Sequence, residues 1–203
     1  RDIEAYFDKK VYLELFVKVI PKWRDKEKFL NILTSEENTE TILAILSNAG
    51  EIQNRIRGNF IDKIQQLCDS FGYTFKCDEG VKTTSNNNWI HISDPKIQDI
   101  EFRIGVESHT NSDGYRMCFV SLKHRNSNSG YNFWQNDSQP TDEYPFGWTY
   151  LWGEDGINGR WWRWDDIDTL KDMSNGKMLE FIKSQLQRIK DENTFEKMNK
   201  LLG

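Results

Sequence analysis

Hydrophobic residues recur at helical spacing through the first third of the chain. Ile3, Phe7, Val11, Leu15 and Val19 stand four apart and Pro21 ends the run, which predicts a first helix. Val11 to Ile20 also alternates in the manner of a strand, but the length of the four-residue pattern favours helix. A second helix is predicted over Lys26 to Leu33. A third follows Ser35, which stands ahead of an acidic first turn where an N-cap belongs, and Ile42, Leu43, Ile45 and Leu46 form its apolar stripe. In the fourth, Ile52, Ile56, Phe60, Ile64, Leu67 and Phe71 keep the helical period as far as Gly72, a suitable C-terminal stop.

Beyond Gly72 the pattern turns to alternation. Tyr73 to Cys77 and Trp89 to Ile92 read as short strands, separated by a polar stretch around Asn86, Asn87 and Asn88. Ile100, Phe102, Ile104 and Val106 alternate with Glu101, Arg103 and Gly105, the signature of a half-buried strand. Asn111 to Gly114 is turn chemistry, and Tyr115 to Lys123 is the next strand. Residues 126–147, rich in Asn, Ser, Gly and Pro, predict an exposed loop leading into a strand from Trp148 to Trp152. Met178, Leu179, Ile182, Leu186 and Ile189 mark a helix between Lys177 and Lys190, followed by a short helix or frayed tail over Asn193 to Gly203. The expected fold is α+β. A helical region covers 1–72, and 73–203 forms an antiparallel sheet of about five strands with a Trp-rich segment and a C-terminal helix packed on it.

Composition narrows the function classes. The 203 residues, 37% hydrophobic and 13% aromatic, are enough to fill a core. A net charge of −5 opposes broad attachment to phosphate backbones or anionic lipid, leaving room only for a local basic patch. Cys68, Cys77 and Cys118 are an odd set without a close pair, which excludes a disulfide framework and a four-thiolate zinc site and points to reduced thiols in the cytoplasm. No run approaches the roughly 18 apolar residues of a membrane helix. The chain opens at Arg1 without an initiator Met or an apolar leader, so a piece of a longer protein is expected.

Catalytic motifs are incomplete. His91, His109 and His124 lack metal-ligand spacing, and there is no Gly-x-Ser-x-Gly elbow. Gly153, Gly156 and Gly159 lack the Lys-Ser/Thr ending of a phosphate loop. Asp94, Asp99, Glu101 and Glu107 gather near one strand, and Glu101-Phe102-Arg103 approaches the acidic-x-Lys element of Mg²⁺ nucleases; an Arg there stays protonated and cannot act as a base. The plainer expectation is that Glu101 and Arg103 point outward from an exposed strand face and pair with neighbours. Asp165, Asp166 and Asp168 stand where they would cap a helix.

The aromatic segment is the most distinctive feature. Eleven aromatics, six of them Trp, lie between Tyr131 and Asp168, among eight acids and two bases. Nucleic-acid tracks interleave aromatics with cations, so a structural role is favoured here: Trp148, Trp152 and one side of the Trp161, Trp162, Trp164 group are expected to clamp Leu179, Ile182 and Leu186 of the last helix. As binding candidates, Trp134 and Trp162 offer aromatic faces, and Arg103, Arg116, Lys123 and Arg125, with His124, a basic patch.

The order "NNNWIHIS", "IEFRIGVES", "YPFGWTYLW" and "WWRWDDIDTLKDMSNGKMLEFIKSQLQRI" resembles the C-terminal portion of bacterial PD-(D/E)XK nuclease-superfamily proteins. The upstream "ILSNAGEIQNRIRGNFIDKIQQLCDSFGY" is similar to the helical region that follows their nuclease core, so the likeness runs roughly from Phe29 to Ile189. It implies an accessory region that shapes or gates DNA access for a Mg²⁺-dependent parent, with the catalytic Asp and acidic-x-Lys upstream of Arg1. No catalytic, metal or cofactor residue is carried over, and DNA is reached only through the longer parent. The alternative is an autonomous module that grips a protein, peptide or glycan with the Trp-rich segment.

Overall fold

The computed structural model describes residues 31, 35–81, 87–106, 115–122, 131–134, 140–151, 161 and 163–202. The first predicted helix, all but Asn31 of the second, and the Asn111–Gly114 turn lie outside the described residues. The chain divides into two compact units, one ending at Arg55 and the other running from Ile56 to Gly203.

In the first unit, α1 (Glu36–Ser47) starts where Ser35 predicts it to. Ser35 is extended, as an N-cap should be, but its hydroxyl accepts from Asn38 Nδ2 at 3.0 Å and makes no backbone cap. Of the predicted stripe, Ile42 is buried and Leu43 is exposed. Helix α2 (Ala49–Phe71) begins three residues before Ile52, the first residue of its apolar pattern. It ends in a Schellman motif: Tyr73 N–H donates to Cys68 O at 3.0 Å and Gly72 N–H to Asp69 O at 3.1 Å, with Gly72 at φ 79°.

The larger unit is built on an antiparallel sheet of β1 (Thr74–Cys77), β2 (Asn88–Asp94), β3 (Ile97–Val106), β4 (Tyr115–Ser121) and β5 (Trp148–Tyr150). The strands lie side by side in chain order, the simplest meander. A tight turn at Pro95-Lys96 joins β2 to β3, and Asp94 Oδ1 accepts from the Lys96 N–H at 2.7 Å. Three helices follow: α3 (Ile167–Asn175), α4 (Lys177–Asp191) and α5 (Thr194–Leu202). Asp166 caps α3, accepting from the Asp168 N–H, and Asp168 stands in the first turn, whereas Asp165 accepts from Nε and Nη2 of Arg163.

Strand pleat assigns the two faces of the sheet. Ile90, Ile92, Phe102, Ile104, Met117 and Phe119 share one core with Phe60, Ile61 and Ile64 of α2, Leu170 of α3, Ile182 and Leu186 of α4, and Phe195 and Met198 of α5. Trp161 and Trp164 are fully buried in this core. Trp161 Nε1 donates to the buried Asp172 at 3.0 Å and its ring meets Phe181 edge-on at 5.2 Å, so part of the expected clamp on the last long helix exists. Arg57 is buried as well; its guanidinium donates to Trp164 O at 3.1 Å, and burial lowers its pKa against the opposing charges of Tyr115 and Asp165. Burial pushes the Cys68 thiol up to about 12, with Asp69 adding to the shift.

Two expectations need correction. Residues 126–147 are not an exposed loop throughout: Phe133, Trp134 and Phe146 fill the main core and Tyr144 is buried in a second cluster. Turn-rich composition reports irregular backbone, and irregular backbone still carries aromatic side chains inward. Arg188 holds this stretch, donating to Phe133 O at 2.9 Å while its guanidinium lies 3.9 Å from the Phe133 ring centre. The second correction concerns Trp148, which packs on the opposite face of the sheet, away from the last long helix. The reason is register: Trp148 pairs with Cys118 and Thr149 with Met117, so Thr149 takes the core side and Trp148 the other. Trp152 lies outside the described residues.

Candidate functional site

The second face of the sheet carries an unbroken cross-strand row, Lys76–His91–Arg103–Cys118–Trp148, one residue from each strand. The flanking row contains Trp89, Gly105, Arg116 and Tyr150. The face therefore has an ionic half and an aromatic half.

In the ionic half, Arg103 Nε donates to Glu101 Oε2 at 2.8 Å. His91 Nδ1 lies 2.9 Å from the same Glu101 oxygen, and His91 Nε2 lies 3.3 Å from Asp78 Oδ2. Asp78 in turn accepts from the Trp89 N–H at 3.0 Å, which ties the turn after β1 to β2. Burial alone would raise the Glu101 pKa, but the hydrogen bonds from His91 and Arg103, and then their charges, outweigh it and hold the carboxyl below its ordinary value. The expected pairing of Glu101 with Arg103 is present. The expected exposure is not, since the Glu101 side chain is only 17% accessible and the Arg103 side chain 16%.

A depressed carboxyl pKa has a fixed consequence for stability. Glu101 contributes in full above the unfolded value, taken as 4.5, and the contribution disappears as pH falls through its lower folded value. Acid unfolding of the wild-type chain should therefore carry a component in that window that Glu101→Gln removes. Urea unfolding midpoints measured from pH 7 to pH 3 check this, and parallel curves for the two proteins would contradict it.

In the aromatic half, the Arg116 guanidinium lies 4.4 Å from the Trp148 ring centre and 5.2 Å from that of Tyr150. Trp148 and Tyr150 meet edge-on at 5.2 Å. Trp89 and Tyr144, whose rings are 6.4 Å apart, close the patch together with Cys118 and Val120. Arg116, Trp148 and Tyr150 are each half-buried. A guanidinium against two rings puts a cation and aromatic surface side by side on this face.

The chain matches no known family model, no curated protein and no solved structure.

Of the residues that the sequence singles out for binding, Arg103 and Arg116 share this face on neighbouring strands. Arg103 is engaged by Glu101, so it is not a plain phosphate contact. Trp134 is placed elsewhere, in the main core beside Phe102, Phe119 and Phe133. Lys123, His124, Arg125 and Trp162 lie outside the described residues, as do His109 and Glu107. Among the described residues, no group of three His, Cys, Asp or Glu side chains is arranged to hold a metal ion, and no helix is long and apolar enough to cross a membrane. Sequence reading alone missed Asp78, His91, Trp89, Tyr144 and Tyr150 as parts of one face. The alternation of Trp89 and His91 places them on one side of β2, but only the strand register brings them to Glu101 and Arg116.

Proposed function

We propose that this chain is a non-catalytic binding module that grips a protein, peptide or glycan through the second sheet face. The observation that carries this reading is Arg116 held against Trp148 and Tyr150 on a face that the main core does not use. Aromatic rings with an aligned guanidinium supply stacking area and a charged donor together, the combination that interface anchors use. Glycan and peptide arrays probed with the chain should yield ligands whose binding falls at least about tenfold in Arg116→Ala and Trp148→Ala, the scale of an anchor residue. Binding that survives both substitutions, with thermal stability retained, would remove the face from consideration.

A second reading, an accessory region of a PD-(D/E)XK-like nuclease that shapes or gates DNA access, draws support from where the resembling segments fall. β2, β3, β5 and the α3–α4 stretch carry four of them in the larger unit, and the upstream helical segment runs from α1 through α2 across the boundary between the units. On this reading DNA and Mg²⁺ belong to the longer parent. The chain by itself should not nick plasmid DNA with Mg²⁺ or Mn²⁺, because Glu101 is already bound to Arg103 and His91. Nicking by the purified chain, abolished in Glu101→Ala, would overturn that expectation.

A further inference from the structure

His91, in the middle of β2, has a carboxylate at each ring nitrogen: Glu101 Oε2 lies 2.9 Å from Nδ1, and Asp78 Oδ2 lies 3.3 Å from Nε2. An ionised carboxylate only accepts hydrogen bonds, and a neutral imidazole has a single N–H. Both contacts are therefore satisfied together only when both nitrogens carry a proton; with one proton, a nitrogen lone pair faces a carboxylate oxygen at the other contact. Burial pushes the Glu101 pKa up, but the bonds from His91 and Arg103 bring it below its ordinary value, so this carboxylate stays charged where a histidine is protonated. The other charged groups around the ring are Lys76, its partner on β1, Arg103, its partner on β3, and Glu79 beside Asp78; Asp94, further along β2, accepts from the Lys96 N–H. Arg103 is engaged by Glu101 and Lys76 is exposed, which leaves the two carboxylates as the dominant influence on the ring.

The two contacts hold different things. Glu101 belongs to the neighbouring strand, and its side chain is 17% accessible. Asp78, at 30%, lies beyond the end of β1 and leads into the 3-10 turn Glu79–Val81, which carries Val81 into the main core. The same Asp78 oxygen accepts from the Trp89 N–H at 3.0 Å, and the Trp89 ring belongs to the aromatic patch. A singly protonated ring keeps the shorter bond, to the less accessible carboxylate, and gives up the longer one. We propose that His91 is a proton-operated latch: doubly protonated, it clasps the turn after β1 to β3 across β2, and on losing the Nε2 proton it releases that turn and loosens the anchorage of Trp89. Its bearing on ligand binding rests on the reading of this face given above; the proton chemistry does not.

Nitrogen-15 NMR of the His91 ring in the 203-residue chain, from about pH 5 to about pH 9, covers the range in which a histidine ordinarily changes charge. Both nitrogens should be protonated at the acid end and only Nδ1 at the alkaline end. Over the same range the Trp89 amide, its exchange rate divided by that of an unstructured chain at the same pH, should lose about tenfold in protection, the scale of one bond to a charged group. The Ile64 amide in α2 should keep its protection. In folded Asp78→Asn and folded His91→Gln the Trp89 step should vanish, and the measurements on the parent decide the matter by themselves if either variant does not fold. No ligand enters, so the latch and the binding face fail separately. An alkaline form protonated on Nε2 would overturn the proposal, as would Trp89 protection that is constant with pH in the parent, an equal loss at Ile64, or the same step in a folded variant.

Discussion

Trp161→Ala should lower the melting temperature by roughly 6–20 °C. Deleting a buried Trp commonly costs about 3–5 kcal/mol, and for a unit of this size each kcal/mol shifts the midpoint by roughly 2–4 °C. Trp161 is fully buried, and two things go at once: the ring packed on Phe181 and the indole N–H that satisfies the buried Asp172 carboxylate. Trp161→Phe separates the two, since it restores most of the ring and leaves out the donor. Its cost should be smaller, about 1–3 kcal/mol, the scale of a buried acceptor losing a partner. Differential scanning calorimetry of the three proteins decides it. A Trp161→Ala chain that melts within a degree or two of the parent would show that the aromatic segment does not hold α3 and α4 in place.

The second large effect comes from a single added carbon. Gly105 is the last residue but one of β3, opposite Trp89 of β2 and Arg116 of β4. A Cβ there would collide with the carbonyl oxygen of Asn88 and the Cα of Trp89. Both are backbone atoms of a paired strand, so no rotamer change relieves the overlap and β2 itself must move. Gly105→Ala should cost about 1–3 kcal/mol or more and disturb the Trp89–Tyr144 patch. The same substitution at Gly58 should act in the opposite sense. That residue lies inside α2 with nothing within 4 Å of a built Cβ, and Ala favours helix over Gly by about 0.5–1 kcal/mol. Chemical denaturation of the pair should move the midpoint down for Gly105→Ala and up for Gly58→Ala; like-signed shifts would refute the close-approach argument.

The elements were legible where one period ran long. α2, β3, β4 and α4 all carry an apolar repeat that local geometry alone explains, and the structure places each within a few residues of its pattern. The facing of Trp148 was not legible, because inward and outward positions on a three-residue strand differ by one step of register set by β4. Nor was the interior role of Phe133 and Phe146, whose neighbours Asn132, Pro145 and Gly147 advertise a surface turn. For the candidate face, the sequence supplied Arg103 and Arg116 as cations and Glu101 as an acid. It did not show that Glu101 neutralises one of those cations while aromatic rings hold the other. Both facts depend on pairings across strands, and no pattern within one strand contains them.

The main core is closed by contacts between distant stretches of chain. Arg57 reaches Trp164 across 107 positions, and Arg188 reaches Phe133 across 55. The hairpins of the meander are local and can form early, but they gain lasting stability only when these far ends meet, and the entropy of closing such long loops slows the step. Synthesis proceeds from the N-terminus, so the sheet leaves the ribosome before α3, α4 and α5 do. Until Phe195 emerges, Phe119 lacks one of its edge-to-face partners, and when β5 is completed only α2, of the helices that share this core, has been made. The last part of the chain to be made thus completes a core whose first helix and whole sheet precede it.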